Sequence, residues 1–457
     1  MLVLTSTLSA ALLPGCSTGA SSSYATPAVA KSTTVPVLVT DAPSSQLLSF
    51  ELTINSIALT NTAGKTVSVL TSPERIEATH LNGVSEPLLT LALAQDTYTA
   101  AVIGYANPEA TYLNPNGTNT VVEYSNTNSG TVTVNLTTPI TIANTATSLS
   151  VDLLLAQSVT INGSTITINP AFNVTSVTVA SQPTNDHNGK EDGVKGTIAA
   201  LNLSANSLTI QSAHGGSFPV TVNASTQYDG VSGLSALGVG MLAEIDVATQ
   251  SDGSLLATRI EIEEASTHDE LEGPVVMVSG NPATSFQMVL RQQLGADLST
   301  SNLGTVYSIT VNSGTVFKTS KRFGEDRTFP FSAAFDASTI FAGQNVAVVT
   351  PTVAGTTTAA AIVMLKQQTV AGTVSAISSI NGYTVYKVTL APTDILTSFT
   401  GATSVMVFTN GNTQMVNSAA LAVGSAARFH GLLFNPGGVL TMISGEAGDG
   451  EHQGSGD

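Results

Sequence analysis

One cluster of cations and aromatic rings carries the residue types most suited to ligand binding. Lys318, Lys321, Arg322 and Arg327 lie close together in a chain with only 14 Lys and Arg residues, and Phe323 lies among them. Cations interleaved with rings can bind an anionic polymer or an envelope glycan by charge and stacking. The alternative is an insertion hairpin whose phenylalanines pack inward while its charges face water. We treat these five residues as candidate ligand-binding residues.

Cys16 is the only cysteine and suggests a different chemistry, lipidation. It follows an apolar run at residues 2–13 that has signal-peptide length and is too short to span a bilayer. Residues 13–16, Leu-Pro-Gly-Cys, resemble the lipobox of bacterial lipoproteins, in which the cysteine becomes the lipidated N-terminus. We therefore expect an extracytoplasmic protein anchored by lipid at the outer membrane or cell surface. The alternative is an ordinary secretory peptide with an incidental cysteine.

Other chemistries lack a motif. The six histidines show no His-x-x-x-His spacing, and a single cysteine excludes both a disulfide and a Cys-based zinc site. Neither a Gly-x-Ser-x-Gly elbow nor a phosphate-binding loop occurs. We predict no catalytic residue, no metal site and no cofactor. A formal charge of −17 also argues against a nucleic-acid partner, whose phosphates it would repel.

Two acidic features admit both a structural and a binding interpretation. Asp41 follows a predicted strand and precedes Pro43, so we interpret it as a turn-capping carboxylate, with a calcium or ligand carboxylate as the alternative. Residues 244–272 contain nine carboxylates and one basic residue, Arg259. Charges alternate there with isoleucines, which predicts the solvent face of an edge strand. The alternative is a surface that binds divalent cations.

The elements that position these residues are predicted to be β-strands. From residue 35 onward, short segments alternate β-branched or apolar residues with Thr and Ser, and Asn-Gly pairs between them indicate hairpin turns. Helical patterns are short and are confined to residues 84–94 and 418–421. The fold class is therefore all-β.

Three segments after residue 193 share a pattern, which predicts internal repeats. Each opens with a glycine at a strand, continues to a threonine two residues before a large apolar side chain, and then reaches a second glycine. The first glycines are Gly196, Gly273 and Gly372, the threonines are Thr226, Thr315 and Thr413, and the second glycines are Gly240, Gly343 and Gly424.

The chain resembles two bacterial families. Residues 40–43, 96–100 and 151–155 resemble the domain of unknown function 4382, and the three repeats resemble the domain of unknown function 5666. The resemblance implies an envelope-associated, mostly β lipoprotein with no established activity, and it supplies no catalytic residues. We expect a transthyretin-like or immunoglobulin-like β-sandwich followed by three small OB-like β-barrels.

The predicted organisation has eight parts. They are a lipoprotein signal peptide (1–16), a flexible tether (17–34), the sandwich (35–181), a linker (182–193), three barrel repeats (194–266, 267–368 and 369–446) and an acidic, Gly-rich tail (447–457). We expect a non-catalytic binding or structural module of the cell envelope, with the membrane and an envelope polysaccharide or protein as partners. The alternatives are an adhesin or protein-interaction scaffold, and a hydrolase with a dispersed site in the sandwich.

Overall fold

The computed structural model describes residues 31–449, except 43, 82–83, 115–119, 164, 186–187, 214–215, 263–268, 296–301, 320–328, 352, 354 and 417–420. Cys16, the signal peptide and most of the predicted tether lie outside the described residues. The first strand begins at Ser32, inside the predicted tether. In the described part of the chain, no helix is long and apolar enough to cross a membrane.

The N-terminal part of the chain forms two larger sheets and one two-stranded sheet. Its strands are β1 (Ser32–Ala42), β2 (Leu47–Asn61), β3 (Thr66–Leu70), β4 (Glu74–Glu77), β5 (Glu86–Ala94), β6 (Thr97–Leu113), β7 (Val121–Ser125), β8 (Ser129–Thr141), β9 (Thr147–Leu154), β10 (Val159–Asn162), β11 (Thr165–Ile168) and β12 (Phe172–Thr178). One larger sheet has the order β12-β9-β1-β5, and the other is built on β3-β2-β6-β7 with β4 and β8. One apolar core includes residues from both larger sheets, which confirms a sandwich-like β architecture.

Alternation along the sequence explains why these segments are strands. In β2, Ile57 and Leu59 are buried, whereas Ser56 is exposed and Ala58 is half-buried. Period two places such side chains on opposite faces of the sheet. The same alternation recurs in β11. The predicted helix at residues 84–94 is wrong, because residues 86–94 form β5 and pair with β1.

The remaining strands form three further units. Repeat 1 contains β13 (Lys190–Asn202), β14 (Ser207–Ser212), β15 (Ser217–Thr221), β16 (Gln227–Asp229), β17 (Leu242–Thr249) and β18 (Leu255–Ile262). Repeat 2 contains β19 (Asp269–Gly280), β20 (Ala283–Val289), β21 (Gln292–Leu294), β22 (Val306–Thr310), β23 (Val316–Thr319), β24 (Asn345–Thr350), β25 (Thr357–Ala359) and β26 (Ile362–Leu365). Repeat 3 contains β27 (Gln368–Ile380), β28 (Tyr383–Thr389), β29 (Ser404–Thr409), β30 (Gln414–Val416), β31 (Ala426–Phe434) and β32 (Thr441–Asp449). The short helices are α1 (Leu155–Ser158) in the sandwich and α2 (Ile395–Thr400) in repeat 3.

Each repeat closes into a small barrel. In repeat 1 the order is β15-β14-β13-β17-β18, and β15 also pairs with β18 in parallel. Repeat 3 closes in the same way, because β29 pairs with β32 in parallel. In repeat 2 the closing strand is divided into two parts, of which β25 pairs with β22 and β26 pairs with β24. A closed sheet of five strands, with β15 and β18 as its parallel pair, matches the small OB-like barrel expected from the sequence.

The opening glycine of each repeat is required by a close approach of two strands. A Cβ atom on Gly196 would lie 2.4 Å from the carbonyl oxygen of Gln211, and one on Gly372 would lie 2.3 Å from that of Thr389. Gly273 is more crowded still, at 1.8 Å from the carbonyl oxygen of Val289. A side chain at any of these positions would force the barrel strands apart.

The second glycine of each repeat makes an equivalent hydrogen bond. Gly240, Gly343 and Gly424 all have positive φ, which glycine adopts without steric cost. Each N–H donates to the carbonyl oxygen two residues after the opening glycine, at 2.8 Å in all three repeats. The sequence pattern therefore corresponds to a shared backbone arrangement.

The repeat threonine fixes the last strand of each barrel. Its hydroxyl donates to a backbone carbonyl oxygen at 2.7 Å for Thr226, 2.8 Å for Thr315 and 2.9 Å for Thr413. Each hydroxyl also accepts the N–H of an asparagine three residues earlier. A parallel strand follows at once in each repeat, namely β16, β23 and β30.

Candidate functional site

A cavity of about 770 Å³ lies where the sandwich and the three repeats meet. All four units contribute to its wall, and ionisable side chains from each of them line it. The lining lysines and arginines are Lys190, Lys195, Arg259, Arg291 and Lys366, and the lining carboxylates are Asp41, Glu86, Asp192, Glu244, Asp246, Glu272, Asp394 and Glu446. A chain with 10% charged residues concentrates many of them here. We refer to this space as the central cavity.

The sandwich wall contains an ionised histidine between two glutamates. His80 lies on a 3₁₀ turn (Thr79–Leu81), with Nδ1 3.0 Å from Glu77 Oε2 and Nε2 3.4 Å from Glu86 Oε1. Burial lowers the pKa of His80, but the charge of Glu86 and the hydrogen bond to Glu77 outweigh it and raise that pKa to about 10. His80 is therefore an imidazolium at neutral pH.

Glu77 remains charged although it is completely buried. Its carboxylate accepts the backbone N–H groups of Phe50 and Thr79 at 3.0 Å and of His80 at 2.9 Å. Burial acts to raise its pKa, but the hydrogen bond and charge of His80, with smaller contributions from Arg291 and Thr79, bring the net pKa below its ordinary value. The local turn thus positions His80 at the cavity wall.

Asp41 differs from Glu77 in the hydrogen bonding of its carboxylate. Its side chain is 2% exposed, and neither carboxylate oxygen has a hydrogen-bond partner among the described residues. Burial is the main reason that its pKa lies well above the ordinary value, and the charges of Asp152 and Glu77 raise it further. His80 and Arg291 offset only part of this increase. Asp41 belongs to β1 and does not cap a turn, so our preferred interpretation of it is wrong.

Arg291 connects repeat 2 to the sandwich across the cavity. It lies between β20 and β21, and its Nε donates to the carbonyl oxygen of Leu48 in β2 at 2.5 Å. Burial lowers its pKa, while Glu77, Asp41 and Glu272 act in the opposite direction. The guanidinium thus faces carboxylates of both units.

Buried ion pairs join repeat 1 to repeat 2. Lys195 Nζ contacts Glu270 Oε1 and lies 2.7 Å from Glu272 Oε2, and Lys366 Nζ lies 3.3 Å from Glu244 Oε2. Burial acts to raise the pKa of Glu272, but the charges of Lys195 and Lys366 bring the net pKa below its ordinary value. These pairs fix the wall on the side of the repeats.

Asn345 adds a second acceptor to the wall. Its amide nitrogen donates to Glu272 Oε1 at 3.0 Å and to the carbonyl oxygen of Gln367 at 3.2 Å. Its buried Oδ1 has no hydrogen-bond partner within the described ranges. Asp41 and Asn345 therefore both present acceptors that lack donors.

Repeat 3 completes the wall with polar groups and two acids, Asp394 and Glu446. The ring of His430 lies 3.0 Å from the Thr369 hydroxyl and 3.1 Å from Gln367 Oε1. Asp394 caps α2 by accepting the N–H of Leu396 at 2.7 Å, and its burial raises its pKa to about 6. The N–H of Ile395 donates instead to the carbonyl oxygen of Ser45 in the sandwich at 2.9 Å.

The central cavity combines ionic and polar groups with aliphatic side chains such as Leu47 and Leu396. None of its described lining residues is Phe, Tyr or Trp. The part of the chain that the structure describes also contains no group of three or more His, Cys, Asp or Glu side chains arranged to hold a metal ion.

The predicted cation and ring cluster is only partly described. Lys318 lies half-buried in β23, away from the central cavity wall, whereas Lys321, Arg322, Phe323 and Arg327 lie outside the described residues. The flanking phenylalanines that are described pack against protein. Ring centroids are 5.6 Å apart for Phe317 and Phe335, 5.6 Å for Phe329 and Phe434, and 5.3 Å for Phe331 and Phe408. The rings at 329 and 331 thus join repeat 2 to repeat 3.

The acidic stretch has a different role from the one predicted. β18 lies between β17 and β16, so the prediction of an edge strand there is wrong. Arg259 lies in the central cavity wall and pairs with Asp229 at 2.6 Å and with Glu261 at 2.9 Å. Glu244, in the neighbouring strand β17, is buried and pairs with Lys366. Glu244 therefore joins repeat 1 to repeat 2, whereas the pairs of Arg259 lie within repeat 1.

A known protein family matches repeat 1. Residues 195–261 match a family described as Domain of unknown function (DUF5666). No curated protein matches the chain. The matched segment runs from the lysine before the opening glycine of repeat 1 to Glu261 near the end of β18, so it includes four of the residues that line the central cavity, Lys195, Glu244, Asp246 and Arg259.

Proposed function

We propose that this protein is a non-catalytic binding module of the bacterial cell envelope that holds a small polar ligand in the central cavity. The observation that carries the proposal is the convergence of four β units on one cavity of about 770 Å³ with an ionic wall. Ligand sites are concave, often lie between domains and contain a few convergent polar groups. The network of ion pairs around His80, Lys195 and Lys366 holds these groups in place before a ligand arrives.

We also propose that the protein is attached to a membrane by a lipid on Cys16. The lipobox-like Leu-Pro-Gly-Cys at residues 13–16 supports lipidation of Cys16 and attachment to a membrane from the extracytoplasmic side. A lipid anchor holds a folded unit at a bilayer without a spanning helix. A Cys16→Ser variant should move the protein from the membrane fraction to the soluble fraction.

The binding proposal is tested with a variant that fills the cavity. Ala391 is exposed and lines the central cavity, so Ala391→Trp places a large ring in that space without displacing a core residue. Ala205 is exposed in a turn of repeat 1 that does not line the cavity, and Ala205→Trp is the matched control. The full chain in detergent is screened by thermal unfolding against neutral sugars, amino sugars, amino acids and sugar acids.

A ligand that binds only the folded state raises the unfolding temperature. We expect at least one class of solute to stabilise the wild type and Ala205→Trp, and to leave Ala391→Trp unchanged. A screen in which no solute stabilises the wild type, or in which stabilisation persists in Ala391→Trp, would contradict the proposal.

A further inference from the structure

The central cavity has acceptors that lack donors. Both oxygens of Asp41 and the Oδ1 of Asn345 are buried at its wall without a hydrogen-bond partner in the described part of the chain. Buried acceptors are rarely left unpaired, and each exception calls for an explanation such as strain, a functional role or a bound water or ion. Their position specifies what the ligand must bring, because an acceptor is satisfied only by an N–H or O–H donor.

The lysines of the wall and Arg259 are already paired within the protein. Lys190 pairs with Asp192 at 2.8 Å, Lys195 with Glu272 at 2.7 Å and Lys366 with Glu244 at 3.3 Å. An anionic ligand would have to break such a pair to bind one of these residues, and at Arg291 it would meet the nearby charges of Glu77, Asp41 and Glu272. A donor ligand has no such requirement, because the acceptor oxygens of Asp41 and Asn345 have no bond to lose within the described chain.

Charge distinguishes an ammonium donor from a hydroxyl donor. Asp41 lies near two further carboxylates, Asp152 and Glu77, and the opposing charges of His80 and Arg291 compensate it only in part. A hydroxyl would supply a hydrogen bond and leave Asp41 protonated, whereas an ammonium group would supply the hydrogen bond together with a positive charge that takes the place of the carboxyl proton. Charge-assisted hydrogen bonds are also the stronger ones.

The lining excludes two other kinds of cation. A quaternary ammonium has no N–H to donate and is recognised by aromatic cages, and no aromatic ring of Phe, Tyr or Trp is present among the described lining residues. A metal ion needs several ligands, and the described chain contains no suitable group of three.

Resting on the proposed function, we propose that the ligand is a small hydroxylated molecule with a primary ammonium group, which is held by the Asp41 carboxylate while another donor of the ligand binds Asn345. Binding replaces a proton with the ligand cation. Because burial and the charges of Asp152 and Glu77 favour the protonated carboxyl in the empty cavity, Asp41 releases its proton to water as the ammonium binds, and affinity increases with pH.

Calorimetry with three solutes of nearly identical shape tests this inference. D-Glucamine carries the ammonium group, D-glucitol has a hydroxyl in its place, and D-gluconate has a carboxylate at the end of the same carbon chain. We expect the full-length protein to bind glucamine at least ten-fold more tightly than glucitol or gluconate at pH 7. Titrations in two buffers with different ionisation enthalpies should show net proton release.

Asp41→Asn is the decisive variant, since the amide keeps the shape and removes the charge. It should weaken glucamine binding at least ten-fold and abolish proton release. Asp252 accepts hydrogen bonds from Ser254 in an exposed turn, and Asp252→Asn should leave both unchanged. Circular dichroism and thermal unfolding establish that both variants are folded.

The outcomes separate the inference from the proposed function. Equal affinity for glucamine and glucitol, or full affinity in Asp41→Asn, would overturn the ammonium assignment and leave the cavity as a binding site for uncharged solutes. Preference for gluconate would overturn it in favour of an anion. If none of the three binds, the inference fails, and the solute screen with Ala391→Trp decides the proposed function separately.

Discussion

Lys195 and Glu272 occupy the same position in two successive repeats, and their side chains bind each other. Each residue precedes the opening glycine of its repeat, and Lys195 Nζ lies 2.7 Å from Glu272 Oε2. In repeat 3 the equivalent residue is Ala371, which carries no charge. Equivalent positions of the repeats have thus acquired opposite charges, and their pairing forms part of the central cavity wall.

Removal of Lys195 should destabilise the protein strongly. Lys195→Met removes the cation that contacts both Glu270 and Glu272, and breaking a buried ion pair in this way costs about 3–5 kcal/mol. The control is Lys190→Met, which breaks a more exposed pair with Asp192 and should cost no more than about 1 kcal/mol. Urea unfolding followed by circular dichroism measures both, and equal losses would refute the prediction.

The opening glycine of a repeat should not tolerate a side chain. In Gly372→Ala the new Cβ would lie 2.3 Å from the carbonyl oxygen of Thr389, and the resulting strand displacement should cost about 1–3 kcal/mol. A Cβ on Gly411 would meet no atom within 4 Å, so Gly411→Ala should change stability by less than about 0.5 kcal/mol. Thermal unfolding compares the two. A neutral Gly372→Ala would show that the close approach is not needed.

Stability should decrease as His80 loses its proton. Its pKa is about 10 in the folded protein and 6.5 ordinarily, so the pair with Glu77 and Glu86 contributes fully below pH 6.5 and is lost as the pH rises to about 10. His80→Gln has no charge to lose. We expect the difference in free energy of unfolding between wild type and His80→Gln to shrink between pH 6.5 and pH 10. A difference that stays constant over this range would show that the imidazolium does not stabilise the fold.

The phenylalanines of repeat 2 should hold repeat 3 in place. Phe331 packs on Phe408 and Phe434, with centroid distances of 5.3 and 5.6 Å. Phe331→Ala should lower the free energy of unfolding by about 2 kcal/mol through lost apolar burial and ring contacts. Leu203 is 56% exposed, so Leu203→Ala should be close to neutral. Limited proteolysis should show faster cleavage in Phe331→Ala, and equal cleavage rates for the two variants would count against this role.

Much of the fold is predictable from local patterns, because alternation and turn glycines act over a few residues. The repeats are the clearest case. Gly196 and Thr226 have counterparts in each repeat, and the structure shows that these residues make equivalent contacts. The helix predicted over residues 84–94 fails because the pairing of β5 with β1 overrides a weak local preference.

The central cavity is not predictable in the same way. Asp41, Arg291 and Lys366 are far apart in the sequence and meet only through packing between units. A signal was nevertheless present, since Lys195 and Glu272 lie next to glycines that the repeats need, in a chain with few charges. Charged residues beside the opening glycines indicate a contact between repeats. Which side chains remain unpaired there depends on three-dimensional distances, so the sequence supports a ligand carboxylate only as the alternative interpretation of Asp41.

Native mass spectrometry of the full-length protein, purified from bacterial envelopes, tests most directly whether the central cavity holds a ligand. We predict that the wild type and Ala205→Trp retain a small bound molecule and that Ala391→Trp lacks it. The same bound mass in all three proteins, or none in any of them, would contradict the account.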